Sequence, residues 1–443
     1  MSWRAAPPRG AQEPAQPALQ NARLLPAGAW SLLGLLMLGP LAFGAVHTWA
    51  WAAMAAGTGL VGLLWAFACL RRRLLCVVWS PLLVPLLAAA ALAEAQYCAG
   101  LTMDAVATRE AAIKLLACAM IFFLSLQFFA DARLGRRAAL AIAIYAFAMA
   151  LFAIIQFFAS PGLLYGVIRP RWGGYVFGPY VSHNNYAGLM EMLIPIAVGL
   201  VLGMRPRHPA RPLALFAVLT CVVSVFLSGS RGGVAALLVE FALFAGGLLR
   251  LRSRERNGAL LAAFALMVAA GAPFFWLDPG GVWQRWRQLA GSQELTAGDR
   301  SRMSADTLRM ARAHLARGVG LGAFAAAYPA YQSIVTDDVI DYAHNDYLQF
   351  VAEGGIAAAL LTAVSVPLFL LSALRELRRR RPPAAWLAAG AAVGVCGMLV
   401  HSAVDFNLHI PANAAWLAFC AALALAPASA GCARDALAAG ELG

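Results

Sequence analysis

Residues 49–92 read WAWAAMAAGTGLVGLLWAFACLRRRLLCVVWSPLLVPLLAAAAL, two apolar runs separated by the triplet Arg71-Arg72-Arg73. Each run has about 20 residues, which is enough for a helix to cross the hydrocarbon core of a bilayer. Charges are costly within a lipid-exposed helix, so the arginines mark a connection between two helices. This stretch therefore predicts a helical hairpin that spans a membrane.

The composition of the whole chain indicates the same class of protein. Hydrophobic residues make up 62% of the 443 residues, and charged residues make up 12%. Soluble domains carry about twice that share of charge, and the mean hydropathy is +0.71. The alternating ten-residue segments of a membrane β-barrel are absent from the sequence. We therefore predict an all-α polytopic membrane protein.

Apolar runs of sufficient length recur along the chain and predict about twelve transmembrane helices. These runs lie at 26–46, 49–70, 74–92, 111–130, 138–159, 186–204, 212–227, 233–249, 259–276, 347–374, 384–400 and 411–426. The first run starts too late and is too long for a cleaved signal peptide, so we expect it to remain as the first span.

Arginine clusters occupy every second connection between these runs, as expected of cytoplasmic loops. The clusters lie at 71–73, 133–137, 205–211, 250–256 and 375–381. The chain then divides into a disordered cytoplasmic N-terminus (1–25), helices 1–9 (26–276), a periplasmic loop with helical segments (277–346), helices 10–12 (347–426) and a cytoplasmic tail (427–443). The net charge of +13 follows from this topology, so we expect no binding to nucleic acid.

The long loop contains an amphipathic stretch at 301–316, followed by Gly318-Val319-Gly320-Leu321-Gly322. No predicted strand precedes the glycines, which argues against a dinucleotide-binding fingerprint. We interpret them as a helix stop and a flexible return towards the membrane.

The polar run Tyr342–Gln349, at the end of the loop, places His344 at a predicted membrane boundary. An imidazole accepts a proton near neutral pH, so His344 is a candidate general base. Asn345, Asp346 and Tyr347 are candidate substrate-binding neighbours. The alternative is that His344 only caps or anchors the following helix. The other candidate bases are Asp337, Asp338, Asp341 and His183.

Arg231 lies in the short connection Ser228-Gly229-Ser230-Arg231-Gly232-Gly233 between two predicted spans. Its planar guanidinium suits a phosphate, and backbone N–H groups at a helix start would assist. The alternative is a hairpin whose arginine extends to lipid headgroups. The eight cysteines and the histidines show no metal-ligand spacing, so we expect neither a metal nor another cofactor.

Three stretches together resemble the O-antigen ligase and O-antigen polymerase-like superfamily of bacterial membrane glycosyltransferases. They are 228–233, the arginine-led 299–324, and 342–356, which reads YAHNDYLQFVAEGGI. The order and topology of the predicted spans extend the resemblance over most of the chain. Ser304 and Leu315 depart from the family pattern, which has an aromatic residue and a proline there. The register of the loop arginines is therefore open, and both Arg300 and Arg302 are candidates.

The resemblance implies transfer of a glycan from undecaprenyl diphosphate to an acceptor hydroxyl, most often O-antigen onto lipid A-core. It implies His344 as the base, Arg231 with Arg300 or Arg302 at the donor diphosphate, and no metal or nucleotide. The partners would be the lipid-linked glycan, a lipid A-core or other glycan acceptor, and membrane lipids. The protein would lie in the bacterial inner membrane with its active site facing the periplasm. Further candidate substrate-binding residues are Arg169, Arg171 and His183.

Other functions remain open at this stage. A polymerase or a protein O-oligosaccharyltransferase would share the donor and differ in the acceptor. A transporter of lipid-linked glycans is a different class, which typically places ionisable residues within its spans near the midplane. Here most ionisable residues lie in loops, with Glu191 and Glu240 as exceptions.

We predict that segment 277–346 lies on the opposite side of the membrane from the arginine-rich connections. In a variant without the native cysteines, Ala290→Cys should react with an impermeant maleimide from the periplasmic side. His208→Cys, in an arginine-rich connection, is the matched control and should react only after the membrane is opened. Labelling of position 290 from the cytoplasmic side alone would overturn the orientation.

Overall fold

A computed structural model of the protein describes residues 16–72, 77–170, 175–249, 297–334 and 339–427. Within these ranges the regular structure is helical, with only isolated β-bridges, so the all-α prediction is confirmed. The α-helices are α1 (Gln16–Leu41), α2 (Thr48–Arg72), α3 (Leu83–Cys98), α4 (Ala105–Phe129), α5 (Ala132–Ala159), α6 (His183–Gly203), α7 (Arg211–Ser228), α8 (Arg231–Leu249), α9 (Ala297–Ala313), α10 (Phe324–Ala327), α11 (Asp346–Arg379), α12 (Ala384–His401) and α13 (Pro411–Leu425).

Among the described residues, seven helices are long and apolar enough to cross a membrane: α2, α4, α5, α6, α7, α11 and α12. Shorter apolar helices occupy 26–41, 83–98 and 411–425. The predicted span at 259–276 lies outside the described residues, whereas each of the other predicted spans overlaps a helix. The total of about twelve spans therefore stays a prediction.

Two helix starts differ most from the sequence prediction. Helix α3 runs from Leu83 to Cys98, later than the predicted span 74–92. Pro81 disfavours helical geometry in the residue before it, and Ser80 Oγ accepts a hydrogen bond of 3.4 Å from Leu82 N just ahead of the helix. Helix α1 already begins at Gln16, inside the segment 1–25 that the sequence assigned to a disordered tail.

Helix α6 lies at the centre of the core and is buried on every face over 183–197. It packs closely against α12, because glycines replace side chains at the contact. A Cβ at Gly199 would overlap the carbonyl oxygen of Trp386, and one at Gly390 would overlap that of Pro195. Small residues allow this approach between membrane helices. The packing brings the functional end of α12 beside α6.

The glycine-rich segment after α9 is held against α11. Gly318, Gly320 and Gly322 have φ values of 71°, 107° and 84°, a region that glycine adopts readily. Gly320 N donates to the carbonyl of Glu353 over 3.0 Å. The Glu353 carboxylate accepts from Gly322 N at 3.0 Å and from Phe324 N at 3.2 Å. These bonds hold the segment that we expected to be a flexible return.

A kink in α11 completes this contact. Gly355 interrupts the helix with φ 63° and ψ −150°. Beyond the kink, Ile356 N donates to the carbonyl of Leu315 over 2.7 Å. The Gln96 side chain of α3 donates to the carbonyl oxygens of Arg317 and Glu353 at 2.8 and 2.9 Å. The Glu-Gly-Gly sequence therefore joins the segment after α9 to the membrane helices.

We predict that Gly318→Ala destabilises the folded protein by about 2–4 kcal/mol, since it combines backbone strain with a steric clash. The new Cβ would overlap the Glu353 carbonyl, and the φ of 71° is unfavourable for alanine. Thermal unfolding in detergent measures the effect. Gly246→Ala is the matched control because a Cβ there meets nothing within 4 Å. Equal melting temperatures for Gly318→Ala and wild type would contradict the prediction.

Candidate active site

His344 lies at one end of the bundle, two residues before the start of α11. Its φ of 49° places a non-glycine residue in the left-handed region, where backbone strain often accompanies function. Asn345 follows as the N-cap, and its Oδ1 accepts from Leu348 N at 3.0 Å. The Asn345 Nδ2 donates to the carbonyl of Ala403 at 2.9 Å. The backbone of His344 is thus fixed between the helix start and the α12–α13 connection.

The His344 side chain contacts the connection between α12 and α13. Its Nδ1 lies 3.3 Å from Asp405 Oδ1, at an ion-pair distance without the angle of an aligned hydrogen bond. Phe406 packs edge-on against the imidazole, with ring centroids 4.8 Å apart. Tyr342 stacks on the same phenyl ring at 4.5 Å. One face of the imidazole is fixed by these contacts, while the side chain stays 16% exposed.

Asp405 is a buried carboxylate, with 1% of its side chain exposed. Burial alone would raise the pKa of Asp405, but the neighbouring His344 imidazole and the charges of His401 and Arg300 lower it below its ordinary value. Asp405 is therefore ionised at neutral pH. A buried carboxylate beside an imidazole orients the ring and stabilises the imidazolium that forms when the ring takes a proton.

The short turn between α7 and α8 reaches the same cluster. Gly229 ends α7 with a φ of 76°, and Ser230 Oγ accepts from Gly233 N at 3.1 Å at the start of α8. A Cβ at Gly232 would lie 2.5 Å from the His401 ring. Arg231 is exposed at this helix start, so its guanidinium remains available to an anion.

The two loop arginines on α9 differ in their surroundings. Arg300 is partly buried, its Nε has no hydrogen-bond partner among the described residues, and its charge acts on Asp405. Arg302 is exposed on the outer face of α9. The structure therefore associates Arg300, rather than Arg302, with the His344 cluster.

Asp346 and Tyr347 bond to the protein itself, although the sequence suggested them as substrate-binding residues. Asp346 Oδ1 lies 2.7 Å from His409 Nδ1, and Asp346 Oδ2 accepts from Leu408 N at 3.1 Å. The Tyr347 hydroxyl donates to the carbonyl of Leu399 at 2.6 Å. These bonds join the start of α11 to α12 and to the connection that carries Asp405.

The structure describes only some of the remaining candidates. His183 is buried as the first residue of α6, with its ring 4.9 Å from that of Tyr175. Arg169 is exposed, and Arg171 lies outside the described residues. Of the alternative bases, Asp341 is exposed, whereas Asp337 and Asp338 also lie outside those ranges.

Sequence reasoning did not assign roles to Asp405, His401 and Glu191. His401 and Asp405 are four residues apart near the end of a predicted span, a spacing that brings side chains together on a helical turn. That spacing was the available signal in the sequence. Glu191 was visible as an ionisable residue within a span. Among the described residues, no group of three or more histidine, cysteine or acidic side chains is arranged to hold a metal.

The pair His409–Asp346 predicts a pH-dependent contribution to stability. Burial alone would lower the pKa of His409, but the Asp346 carboxylate raises it above its ordinary value. The stabilisation is therefore fully present below about pH 6.5, the unfolded value, and is lost as the pH rises through the folded pKa. His409→Gln should lower the melting temperature more at pH 6 than at pH 9. His208→Gln is the control in an exposed connection, and a pH-independent deficit in His409→Gln would contradict the assignment.

Comparison with known proteins gives one family. The family described as O-antigen ligase matches residues 216–363, a range that includes Arg231, Arg300 and His344. No curated protein matches the chain. The activity of the family is glycan transfer of the O-antigen ligase or polymerase type. The chain is thus a multi-pass helical membrane protein whose residues 216–363 match the O-antigen ligase family.

Proposed function

We propose that this protein transfers a glycan from undecaprenyl diphosphate to an acceptor hydroxyl, with lipid A-core as the acceptor and O-antigen as the glycan. The observation that carries the proposal is the contact between His344 Nδ1 and the buried Asp405 carboxylate at 3.3 Å. The site thus has an oriented, partly exposed imidazole, with Arg300 acting on Asp405 and Arg231 exposed at the start of α8. A hydroxyl acceptor and a diphosphate leaving group require a base and cationic partners of this kind.

His344 acts as the general base. Asp405 lies at Nδ1, so Nε2 is the nitrogen that receives the proton of the acceptor hydroxyl. Neutral imidazole becomes imidazolium in this step, and the Asp405 carboxylate stabilises the new positive charge. The left-handed backbone at His344 is consistent with strain retained for function.

The arginines act on the donor. As the acceptor oxygen bonds to the anomeric carbon of the glycan, the bond from that carbon to the diphosphate oxygen breaks. The electron pair leaves with the diphosphate, and its growing negative charge is stabilised by Arg231 and Arg300. Arginine keeps its charge at any accessible pH and offers a planar fork of donors to phosphate oxygens. These cations supply the positive charge, so the proposed reaction uses no metal.

The location of the reaction follows from charge and the site together. Arginine clusters occupy every second connection, and the connections that carry Arg231, His344 and Asp405 alternate with them. By the positive-inside rule this set faces away from the cytoplasm. We therefore propose the inner membrane, with the site facing the periplasm, where a lipid-linked glycan and an acceptor glycolipid would meet.

We predict that His344→Ala lowers turnover by about a hundredfold or more while donor binding stays near wild type. Arg231→Lys should instead weaken binding of the donor lipid, because lysine keeps the charge but loses the bidentate fork. The wild-type rate should fall as the pH drops through the range in which histidine titrates. Purified protein in nanodiscs, an undecaprenyl-diphosphate glycan and a lipid A-core acceptor give both measurements.

The matched controls are His208→Ala and Arg207→Lys, which repeat the substitutions in the exposed connection between α6 and α7. Both should retain wild-type turnover and donor binding. Normal transfer by His344→Ala would return His344 to the role of a helix-boundary residue. Normal donor binding by Arg231→Lys would make Arg231 a headgroup anchor. Transfer only onto the non-reducing end of a lipid-linked glycan would identify a polymerase.

A further inference from the structure

A second ionisable pair lies behind the His344–Asp405 contact, inside the helical bundle. Glu191 Oε1 of α6 and His401 Nδ1 of α12 are 2.7 Å apart. Their side chains are 0% and 1% exposed. Ionisable groups inside a membrane protein are costly and usually have a function. The proposed base mechanism uses neither residue.

His401 connects this pair to Asp405 through its other ring nitrogen. His401 Nε2 lies 4.0 Å from Asp405 Oδ2 and has no hydrogen-bond partner among the described residues. The other Asp405 oxygen lies 3.3 Å from His344 Nδ1. Glu191, His401, Asp405 and His344 thus form a series that alternates acid and imidazole, from the buried interior to the partly exposed His344. We call these four residues the relay.

We propose that Glu191 and His401 are positioning residues that set how firmly His344 holds a proton, through their effect on Asp405. The inference rests on the proposed function, because it assigns them a role in the action of His344 as a base. Neither residue touches substrate in this assignment. Their effect is electrostatic and passes through the Asp405 carboxylate.

The orientation of the pair gives this effect a definite sign. If His401 carries the shared proton, it is an imidazolium, and its Nε2–H faces Asp405. If Glu191 carries the proton instead, it donates to Nδ1, and the neutral imidazole again has its hydrogen on Nε2. In both cases the positive end of the pair points at Asp405 and offsets part of its negative charge. The attraction between the Asp405 carboxylate and a protonated His344 is then weaker than it would be without the pair.

Two glycines at the start of α8 pack closely against the pair and its neighbours. A Cβ at Gly232 would lie 2.5 Å from His401, and one at Gly233 would lie 2.6 Å from the Ala187 methyl and 3.2 Å from Glu191 Oε1. Apolar side chains of similar volume would fill the same space without the desolvation cost of buried ionisable groups. The Gly-Gly sequence of the 228–233 turn thus accommodates the pair.

Other charged groups act on the relay from the surrounding elements. Arg300 of α9 acts on Asp405, and Asp346 at the start of α11 acts on His401. Glu240 of α8 interacts with Glu191. These three residues are unchanged in the variants below, so a difference in pH dependence reports on Glu191 and His401.

The first test is the pH profile of kcat/KM for the full-length protein in nanodiscs, with His401→Phe, Glu191→Gln and the double variant. His401→Phe removes the N–H that faces Asp405, so the acid limb should move to higher pH by roughly half a unit or more. The rate on the high-pH plateau should stay within a few fold of wild type. Glu191→Gln removes the carboxylate that stabilises an imidazolium at His401 but still donates to Nδ1 of a neutral ring, so its shift should have the same direction and be no larger than that of His401→Phe. The double variant should shift no further than His401→Phe, because the two residues act as one unit.

Conservative and packing variants separate an electrostatic role from a structural one. Glu191→Asp keeps the carboxylate and should return the acid limb towards its wild-type position. Tyr186→Phe is the packing control on α6, because it removes only the buried hydrogen bond of 2.8 Å to Ser224. It should leave the pH profile unchanged. If His401→Phe fails to fold, His401→Leu carries the test.

A second measurement follows His344 without any substrate. Diethyl pyrocarbonate modifies neutral imidazole, so its rate at the His344 peptide, read by mass spectrometry against pH, reports the protonation of that ring. His401→Phe should move this titration to higher pH. Titration of the His401→Phe variant at the wild-type pH overturns the inference. If the titration moves but glycan transfer does not follow it, the proposed base function fails and the electrostatic relay stands.

Discussion

The structure of the site depends on one constraint, the neutralisation of the buried carboxylate of Asp405. An ionised carboxylate with 1% of its side chain exposed is stable only beside positive or hydrogen-donating groups. Here those groups come from three directions: His344 before α11, His401 at the end of α12, and Arg300 on α9. Three separate parts of the chain are therefore held at one end of the bundle by a single charge.

Close helix packing makes this meeting of charges possible. Gly199 and Gly390 let α6 and α12 approach until backbone atoms touch, and Gly232 does the same for the start of α8 against His401. In a bilayer, such contacts between small residues replace the hydrophobic driving force that acts in water. The glycines of the 228–233 turn thus have a second role besides chain reversal. They bring Gly232, the residue after Arg231, against the His401 ring.

The long connection before α11 is likewise held by hydrogen bonds within the protein. The Glu353 carboxylate and carbonyl bind backbone N–H groups of the glycine segment, and Gln96 binds from α3. Asp346 joins the first turn of α11 to His409 and Leu408. Asp346, a substrate-binding candidate in the sequence, makes these bonds two residues after His344 and so supports the position of His344. Such a supporting shell is what fixes a catalytic group to its working geometry.

The sequence by itself determined the fold class and most of the helices, and it nominated His344, Arg231 and either Arg300 or Arg302 as candidate site residues. Apolar runs and polar breaks are local properties of the sequence. Because a charge in lipid is costly, they indicate where each membrane helix begins and ends. The span predicted from apolar residues alone was wrong at the start of α3, because the helix begins only after Pro81.

Only the tertiary structure decided which polar residues act together. Glu191 and His401 are 210 positions apart, yet their side chains meet at 2.7 Å. His344 and Asp405 are likewise brought together from separate connections. No periodicity along the chain encodes such pairs, because they result from how α6, α8, α11 and α12 pack. The same packing engages Asp346 and Tyr347 in hydrogen bonds within the protein and leaves His344 as the partly exposed imidazole of the relay.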